Sequence, residues 1–203
     1  MHKRLKNRSI SQYLTRPIIP YLTEGVDKQP LLVAAASLVM IGGGELAELP
    51  TLLERMSKPP FAAMPVLLHI DLVNGLSNDE SGLRYVATLN RVDGIVTTRH
   101  HLAQLAKKLD LMCVVRLFLQ DGRAVERGLG VVEKSRPDAV ELLPGVAFLQ
   151  VAERFANLPM PCIAGGLIRT KETVQRILAA GCRAVSTTNV SLWEMNQQGD
   201  RVS

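Results

Sequence analysis

Eight short apolar segments recur along the chain, and this alternation constrains the fold more than any other feature. The segments are almost continuously apolar and often β-branched, which is typical of parallel strands covered by helices. Longer amphipathic stretches with helical spacing separate them, most clearly at 102–109, 124–134 and 171–180. The predicted strands lie at 17–19, 31–36, 65–72, 93–98, 111–119, 138–143, 161–164 and 184–187.

Local signals at the ends of the amphipathic stretches support this interpretation. The run Ser77-Asn78-Asp79-Glu80 has the form of a helix capping box, and Gly181 stands where a helix from Lys171 would end. The irregular stretch 57–65, which is rich in proline, predicts a loop. Eight strand-helix units usually close an α/β barrel, but a doubly wound open sheet is built from the same units, and periodicity does not separate the two.

Length and composition set the broad class of protein. A chain of 203 residues with 47% hydrophobic and 21% charged residues suits one domain with a single core, predicted over 1–203 with a short basic N-terminal segment at about 1–12. No apolar run approaches the roughly 20 residues of a membrane span, and the basic start lacks an apolar signal core. Three scattered cysteines suggest neither disulfides nor zinc, so we expect a protein of the reducing cytoplasm without membrane contact.

Ionisable residues interrupt the apolar strands at a few positions. In a closed parallel barrel, such residues are tolerated mainly where they face the axis near the carboxyl ends of the strands. Alternation places His69 and Asp71 on one strand face, and Arg116 and Glu141 on the inner faces of two other strands. We expect these four residues to converge, either as an internal salt-bridge network or as a polar floor for a ligand with hydroxyl groups. For His69 alone, a structural hydrogen bond is slightly favoured.

The last two strand ends carry a pattern suited to phosphate. Gly165 and Gly166 lead from a strand into a helix start, where glycine lets backbone amides approach an anion closely. The next strand ends in Ser186 and Thr187, followed by Thr188 and Asn189, which add hydroxyl and amide donors. Barrels frequently bind phosphate with these last two loops, although a glycine pair alone is more often a tight turn.

The order of these motifs resembles the glycerol-3-phosphate-responsive antiterminators, which regulate glycerol uptake operons. The resemblance covers roughly residues 65–193 and rests on six motifs, which are His69-Ile70-Asp71-Leu72 with Gly75-Leu76, Asp93-Gly94-Ile95-Val96-Thr97-Thr98, Arg116-Leu117-Phe118-Leu119, Pro137-Asp138-Ala139-Val140-Glu141-Leu142-Leu143-Pro144-Gly145, Ala164-Gly165-Gly166-Leu167-Ile168-Arg169-Thr170, and Val185-Ser186-Thr187-Thr188-Asn189 with Leu192-Trp193.

The resemblance implies a TIM-type (β/α)8 barrel in the cytoplasm, with glycerol 3-phosphate as effector and no other cofactor or metal. It also implies that the loaded protein contacts leader messenger RNA and prevents a transcription terminator from forming. Carried over by motif, phosphate binding falls on Gly165, Gly166, Ser186 and Thr187, and polyol binding on Asp71, Arg116 and Glu141, with His69 beside them.

The chain departs from the family pattern near its first strands. It has Arg16-Pro17 where the family tends to have Asn-Pro. After the fifth strand it has Gln120-Asp121-Gly122-Arg123, where a serine near the aspartate is expected. Thr188 stands in place of a serine. The second predicted strand, which is followed by Gly42-Gly43-Gly44, is smaller than its counterparts.

Three functional hypotheses follow. A ligand-sensing regulator needs a basic face for RNA, for which Arg99, Lys107, Lys108 and Arg127 on consecutive helices are candidates, although such charges are usually just a solvated surface. An enzyme acting on a small phosphorylated polyol would use Asp71 and Glu141 as an acid-base pair, but no lysine or evident metal-ligand set lies in the predicted strands, and no catalytic residue is assigned. The third hypothesis is a scaffold whose pocket has decayed. The sequence leaves open whether the chain forms a homo-oligomer.

Overall fold

The strand-helix alternation closes into a parallel barrel. A computed structural model of the protein describes residues 9–23 and 29–197. Its strands are β1 (Ile18–Leu22), β2 (Val39–Ile41), β3 (Gly44–Glu45), β4 (Val66–His69), β5 (Val73–Asn74), β6 (Gly94–Thr97), β7 (Met112–Phe118), β8 (Ala139–Leu143), β9 (Cys162–Gly165) and β10 (Ala184–Thr187). The closed order is β1-β2-β4-β6-β7-β8-β9-β10, with β10 paired to β1, while β3 and β5 form a separate two-stranded ribbon. The predicted α/β barrel is confirmed and the open sheet is excluded.

Helices surround the barrel. They are α1 (Pro30–Ala34), α2 (Leu49–Met56), α3 (Glu80–Val86), α4 (Leu102–Lys108), α5 (Gly122–Ser135), α6 (Gly145–Phe148), α7 (Ala152–Phe155), α8 (Lys171–Ala179) and α9 (Val190–Trp193). Of these, α4, α5 and α8 match the predicted helical stretches at 102–109, 124–134 and 171–180. Short 3-10 helices add Ile10–Tyr13, Ile70–Leu72 and Glu194–Asn196. Gly181 follows α8 with a φ of +111°, as its predicted role at a helix end requires. No described helix is long and apolar enough to cross a membrane.

The predicted second strand at 31–36 is wrong. That segment forms α1, which starts with Pro30 in its first turn, and the barrel strand is the shorter β2. Pro30 suits the first turn of a helix, and the alanines that follow favour helix over strand. A six-residue apolar run does not distinguish the two by periodicity, which explains the error.

Two local predictions around the third barrel strand also need correction. The predicted strand 65–72 ends early, because β4 stops at His69 and Asp71 lies in the 3-10 turn that follows. Asp71 therefore does not share a strand face with His69. The capping residue of α3 is Asp79 rather than Ser77, since the Asp79 carboxylate accepts hydrogen bonds from the amides of Ser81 and Gly82.

The barrel interior divides into an apolar part and a polar part. Inward-facing side chains fill the apolar part and pack against Ile10 and Leu14 near the N-terminus, which are both fully buried; they include Ile19, Met40, Leu67, Val96, Val114, Ala139, Ile163 and Ala184. Of the basic segment predicted at about 1–12, residues 1–8 lie outside the described residues. The polar side chains of the interior lie at the other end, at the carboxyl ends of the strands. Barrel proteins bind their ligands at that end.

Candidate functional site

A cavity of about 390 Å³ lies at the carboxyl ends of the barrel strands. Strands β1, β7, β8 and β10 contribute its inner wall, and the loops after β9 and β10 contribute its rim. This volume is in the range of small-molecule pockets. The lining residues are Tyr21, Arg116, Glu141, Leu143, Gly166, Leu167, Ile168, Arg169, Ser186, Thr187, Thr188 and Asn189.

An ion pair forms the floor of the cavity. Arg116 and Glu141 are register partners on β7 and β8, and Arg116 Nε lies 2.7 Å from Glu141 Oε2. Only 11% of the Arg116 side chain and 1% of the Glu141 side chain are exposed. Burial alone would lower the pKa of Arg116, but the Glu141 carboxylate outweighs it and raises that pKa. Arg116 therefore remains charged where a ligand would meet it.

Behind Arg116, Tyr21 and His69 extend this network. His69 Nδ1 lies 2.6 Å from the Tyr21 hydroxyl and 3.3 Å from Arg116 Nη1, and the Arg116 guanidinium stands 5.4 Å from the centre of the Tyr21 ring. A guanidinium can only donate, so His69 Nδ1 must accept, and the ring proton must sit on Nε2. His69 thus fixes the positions of both Tyr21 and Arg116, while burial raises the pKa of Tyr21.

Asp71 belongs to the same network but does not line the cavity. Its carboxylate accepts hydrogen bonds from Thr97 Oγ1, the Thr98 amide and Thr98 Oγ1 at 2.6, 2.6 and 2.8 Å. His69 Nε2 lies 3.8 Å from Asp71 Oδ2 and has no hydrogen-bond partner among the described residues. Although burial opposes ionisation, the neighbouring His69 and the threonine hydrogen bonds hold the pKa of Asp71 well below its usual range. Asp71 is thus an ionised anchor for the start of the loop after β6.

Replacing Asp71 with Asn should reduce the protein's sensitivity to acid. Because folding lowers the pKa of Asp71, its carboxylate stabilises the folded state above the unfolded-chain pKa of about 4, and this stabilisation is lost as pH falls further. The drop in Tm between pH 7 and pH 3 should therefore be smaller in Asp71→Asn than in the wild type, by about 2–4 °C. The exposed Asp110→Asn serves as control and should keep the wild-type drop. An unchanged drop in Asp71→Asn would contradict the anchor role.

The rim above the floor has an unusual backbone. Gly166 and Leu167 both adopt left-handed conformations, with φ of +74° and +57°, and Leu167 does so without the freedom of glycine. Thr187 Oγ1 accepts a hydrogen bond from the Asn189 amide, which leaves its own hydroxyl hydrogen for a ligand. Strained backbone of this kind is concentrated at ligand-binding loops.

Gly165 and Ser186 lie beneath the rim rather than in it. A Cβ on Gly165 would stand 2.5 Å from Ser186 Oγ and 2.9 Å from Glu141 Oε1, so only glycine lets those groups meet. Ser186 donates its hydroxyl to Glu141 Oε1 at 2.5 Å, and its hydrogen is therefore already used. Gly165 thus lies behind the floor, whereas Ser186 lines the cavity beside Glu141.

The predicted site residues are thus only partly assembled around the cavity. Arg116, Glu141, Gly166, Ser186 and Thr187 line it, whereas Gly165, His69 and Asp71 stand behind it. Sequence reasoning missed Tyr21, which lines the cavity from β1. Tyr21 lies two residues beyond the predicted strand 17–19, and a tyrosine beside an apolar strand is ordinarily part of the core.

The basic residues proposed for RNA lie on different elements of the barrel. Arg99 follows β6 at the cavity end of the barrel, while Lys107 and Lys108 end α4 at the opposite end, and Arg127 lies within α5. All four are exposed. Helix α4, which has seven residues and is about 10 Å long, lies between Arg99 and the two lysines, and the assignment of these four residues to RNA stays a prediction.

The described residues offer little for metal or thiol chemistry. They contain no group of three or more His, Cys, Asp or Glu side chains placed to hold a metal ion. Cys113, Cys162 and Cys182 are buried, and burial raises the pKa of each thiol, that of Cys162 to about 11. A buried thiol of this kind is a poor nucleophile.

The chain is similar to known proteins over almost its whole length. The profile of the family described as glycerol-3-phosphate responsive antiterminator matches residues 18–193, from β1 to the end of α9. The chain is 34% identical to a glycerol uptake operon antiterminator regulatory protein from Listeria monocytogenes, covering 96% of this chain and 99% of that one, with a TM-score of 0.79. A glycerol uptake operon antiterminator-related protein from Thermotoga maritima is 29% identical, covers 89% and 99%, and superposes with a TM-score of 0.77. The uncharacterized protein YgcP from Escherichia coli is 25% identical over 179 residues, which is 88% of this chain and 92% of YgcP.

Proposed function

This chain belongs to the glycerol-3-phosphate responsive antiterminator family, and from that premise we propose that it senses glycerol 3-phosphate in its barrel cavity. We further propose that the loaded protein, acting in the cytoplasm, contacts leader messenger RNA and prevents a terminator from forming. The observation that supports this proposal is the arrangement of the cavity, in which the Arg116–Glu141 pair lies below a rim of Gly166, Thr187 and their neighbours.

The two parts of the cavity suit the two parts of glycerol 3-phosphate. In this proposal the phosphate binds at the rim, where Thr187, Thr188 and Asn189 offer polar donors and Arg169 offers a positive charge. The glycerol hydroxyls bind at the floor, where Glu141 accepts hydrogen bonds and Arg116 donates them. Gly165 and Ser186 shape the floor, and His69 holds Arg116 in place while Asp71 lies beside it.

Glycerol 3-phosphate should stabilise the folded protein measurably. A ligand at 100 times its Kd adds about 2.7 kcal/mol to the free energy of unfolding, which corresponds to a rise in Tm of about 5–10 °C for a chain of this size. Thermal unfolding with glycerol 3-phosphate tests this, and an equimolar mixture of glycerol and inorganic phosphate is the control. Equal shifts with the ester and the mixture, or no shift with either, would contradict the proposed ligand.

The RNA part of the proposal has its own readout. Leader RNA should bind the protein loaded with glycerol 3-phosphate, and its affinity should fall as salt rises, because protein cations displace counterions from the RNA backbone. RNA affinity that does not depend on the ligand would leave the protein an RNA binder but remove the sensing role.

An enzyme remains the alternative, because Glu141, His69 and Asp71 gather at the barrel end where catalysis takes place in this fold. Two observations argue against it. The Asp71 carboxylate is committed to Thr97 and Thr98, and the described lining of the cavity contains no lysine for covalent chemistry. Turnover of glycerol 3-phosphate that disappears in Glu141→Gln would favour the enzyme over the sensor.

A further inference from the structure

We propose that the RNA docks over the mouth of the cavity, on one half of the barrel rim that we call the mouth half-ring. The half-ring consists of Arg99, Phe118, Arg123, Leu167 and Arg169. This proposal rests on the proposed function, since it assumes that the protein binds RNA. It specifies where the RNA lies and why ligand and RNA depend on each other.

Topology places the half-ring at one end of the barrel. Arg99 follows β6, Phe118 ends β7, Arg123 begins α5 after β7, and Leu167 and Arg169 follow β9. Strands β6, β7, β8 and β9 are consecutive neighbours in the barrel. Because the strands are parallel, their carboxyl ends meet at the same end, which is also the end that holds the cavity. The five residues therefore follow one arc of the rim.

Two large apolar side chains of the half-ring are exposed. Phe118 is 49% exposed and Leu167 is 66% exposed. Phe118 lies on the same strand face as Arg116, one side-chain step nearer the carboxyl end, which puts its ring at the mouth. Exposed rings are the platforms on which unpaired RNA bases stack, and this chain has few aromatic residues to offer elsewhere.

The charge of the half-ring complements RNA. Arg99, Arg123 and Arg169 are exposed, and none of them forms a salt bridge with another described residue. Arginine both pairs with phosphate and stacks on bases, so arginines around an exposed ring match single-stranded RNA better than they match an apolar protein surface. Acidic side chains also lie near this arc. Asp121 caps α5 through the Ala124 amide, Glu172 lies in the first turn of α8, and Arg99 is close enough to Asp79 to help lower the pKa of that carboxyl.

Two loops on the other half of the rim would repel RNA. These loops, after β2 and β4, carry exposed carboxylates at Glu45, Glu48, Asp79 and Glu80. These carboxylates disfavour RNA over the loops after β2 and β4, so the half-ring is the favoured side of the mouth. Lys107 and Lys108 lie at the far end of the barrel, where they complement the C-terminal dipole of α4, which explains their presence without RNA.

Docking at the mouth also couples the two ligands. Leu167 and Arg169 belong to the half-ring and line the cavity as well, so RNA on the half-ring covers a bound phosphate ester. By linkage, a ligand that strengthens RNA binding must itself be bound more tightly when RNA is present. Glycerol 3-phosphate should therefore leave the ternary complex more slowly than it leaves the protein alone.

The test uses residues of the half-ring that do not line the cavity. In RNA titrations with saturating glycerol 3-phosphate, Phe118→Ala should weaken binding by about 5- to 100-fold, the range found for losing one stacked base. Arg123→Glu should weaken it by about tenfold and reduce the salt dependence, and the new carboxylate is tolerated in the first turn of α5. The matched controls are Tyr85→Ala, an exposed ring on α3 that is 42% accessible, and Lys108→Glu; both should bind RNA like the wild type.

The outcomes separate this proposal from the proposed function. Loss of RNA affinity in Lys108→Glu but not in Phe118→Ala would place the RNA elsewhere and overturn the half-ring, while leaving the antiterminator function intact. Wild-type protein that binds glycerol 3-phosphate but no leader RNA would instead overturn the function. A change in sedimentation with unchanged RNA affinity in Phe118→Ala would make the half-ring a contact between copies of this chain and overturn the proposal. Equal ligand dissociation rates with and without RNA would remove the covering role.

Discussion

Replacing Arg91 with Met should destabilise the protein by about 3–5 kcal/mol, the cost of removing one partner from a buried ionic network. Arg91 is 1% exposed, and its guanidinium donates hydrogen bonds to the carbonyls of Met56, Phe61 and Met64 at 3.0, 2.7 and 2.5 Å. It also lies 3.1 Å from Asp93 Oδ2. The side chain therefore ties the loop between α2 and β4 to the segment that enters β6. Methionine removes one donor from each of these acceptors, although the Phe61 carbonyl keeps the Met64 amide and Asp93 Oδ2 keeps the Val66 amide.

Urea unfolding of Arg91→Met measures this loss, and Arg84→Met is the matched control. Arg84 pairs with Glu80 at 3.9 Å on the surface of α3, where both side chains are more than half exposed, so its loss should cost less than about 0.5 kcal/mol. If Arg91→Met does not fold, Arg91→Lys serves instead, because it keeps the positive charge but not the several N–H donors of the guanidinium. Its free energy of unfolding should lie between that of the wild type and zero. Equal stability of Arg91→Met and Arg84→Met would show that the network contributes nothing.

This network illustrates what the sequence does not reveal. Arg91 lies in the connection between α3 and β6, and an arginine in such a connection is ordinarily expected to be exposed. Its backbone adopts a left-handed φ of +84°, and its carbonyl partners come from a loop distant in sequence. Every type of residue has a backbone carbonyl. A side chain whose hydrogen-bond acceptors are backbone carbonyls therefore leaves no pattern in the sequence.

The strand-helix alternation was predictable, because parallel strands covered by helices are apolar on both faces and recur at regular intervals. The count of eight units favoured a closed barrel over an open sheet, but periodicity alone did not decide between them. The exception was the second unit, where a strand was predicted at 31–36 and α1 formed. Three residues suffice for β2, since its neighbours β1 and β4 supply the ladder on both sides. An element so short is decided by its neighbours in the barrel rather than by its own sequence.

The site was predictable where its residues follow strand alternation. Arg116 and Glu141 are on the inner faces of adjacent strands, and alternation placed them there. Asp71 does not lie where strand alternation placed it, because a 3-10 turn ends the strand after His69. The two-residue alternation of a strand gives no sign of such a turn. Ser186 points to Glu141 rather than to the rim, and this choice depends on the close approach that Gly165 permits across two strands.

Arg116→Met should produce the largest loss of ligand affinity, about 100-fold or more for glycerol 3-phosphate. Two effects act in the same direction. The variant removes a buried charged donor from the floor, which typically costs 2–5 kcal/mol of binding, about 30-fold or more. It also leaves Glu141, which is 1% exposed, without its cation below the site proposed for a phosphate of like charge.

The same substitution should lower stability, because an unpaired carboxylate remains buried. Stability and affinity can be separated with the double variant Arg116→Met/Glu141→Gln, which replaces the ion pair with two neutral side chains of similar size. Replacing both members of a buried ion pair is often neutral for stability, whereas removing one costs about 3–5 kcal/mol. The double variant should therefore regain most of the stability that Arg116→Met loses.

Affinity should not return with stability. If the pair binds the ligand, the double variant folds well yet still binds glycerol 3-phosphate at least about 100-fold more weakly than the wild type, because neither the guanidinium donor nor the carboxylate acceptor is present. If the pair only holds the barrel together, affinity recovers along with stability. Calorimetric titration and urea unfolding of the wild type, both single variants and the double variant decide between a binding floor and an internal salt bridge.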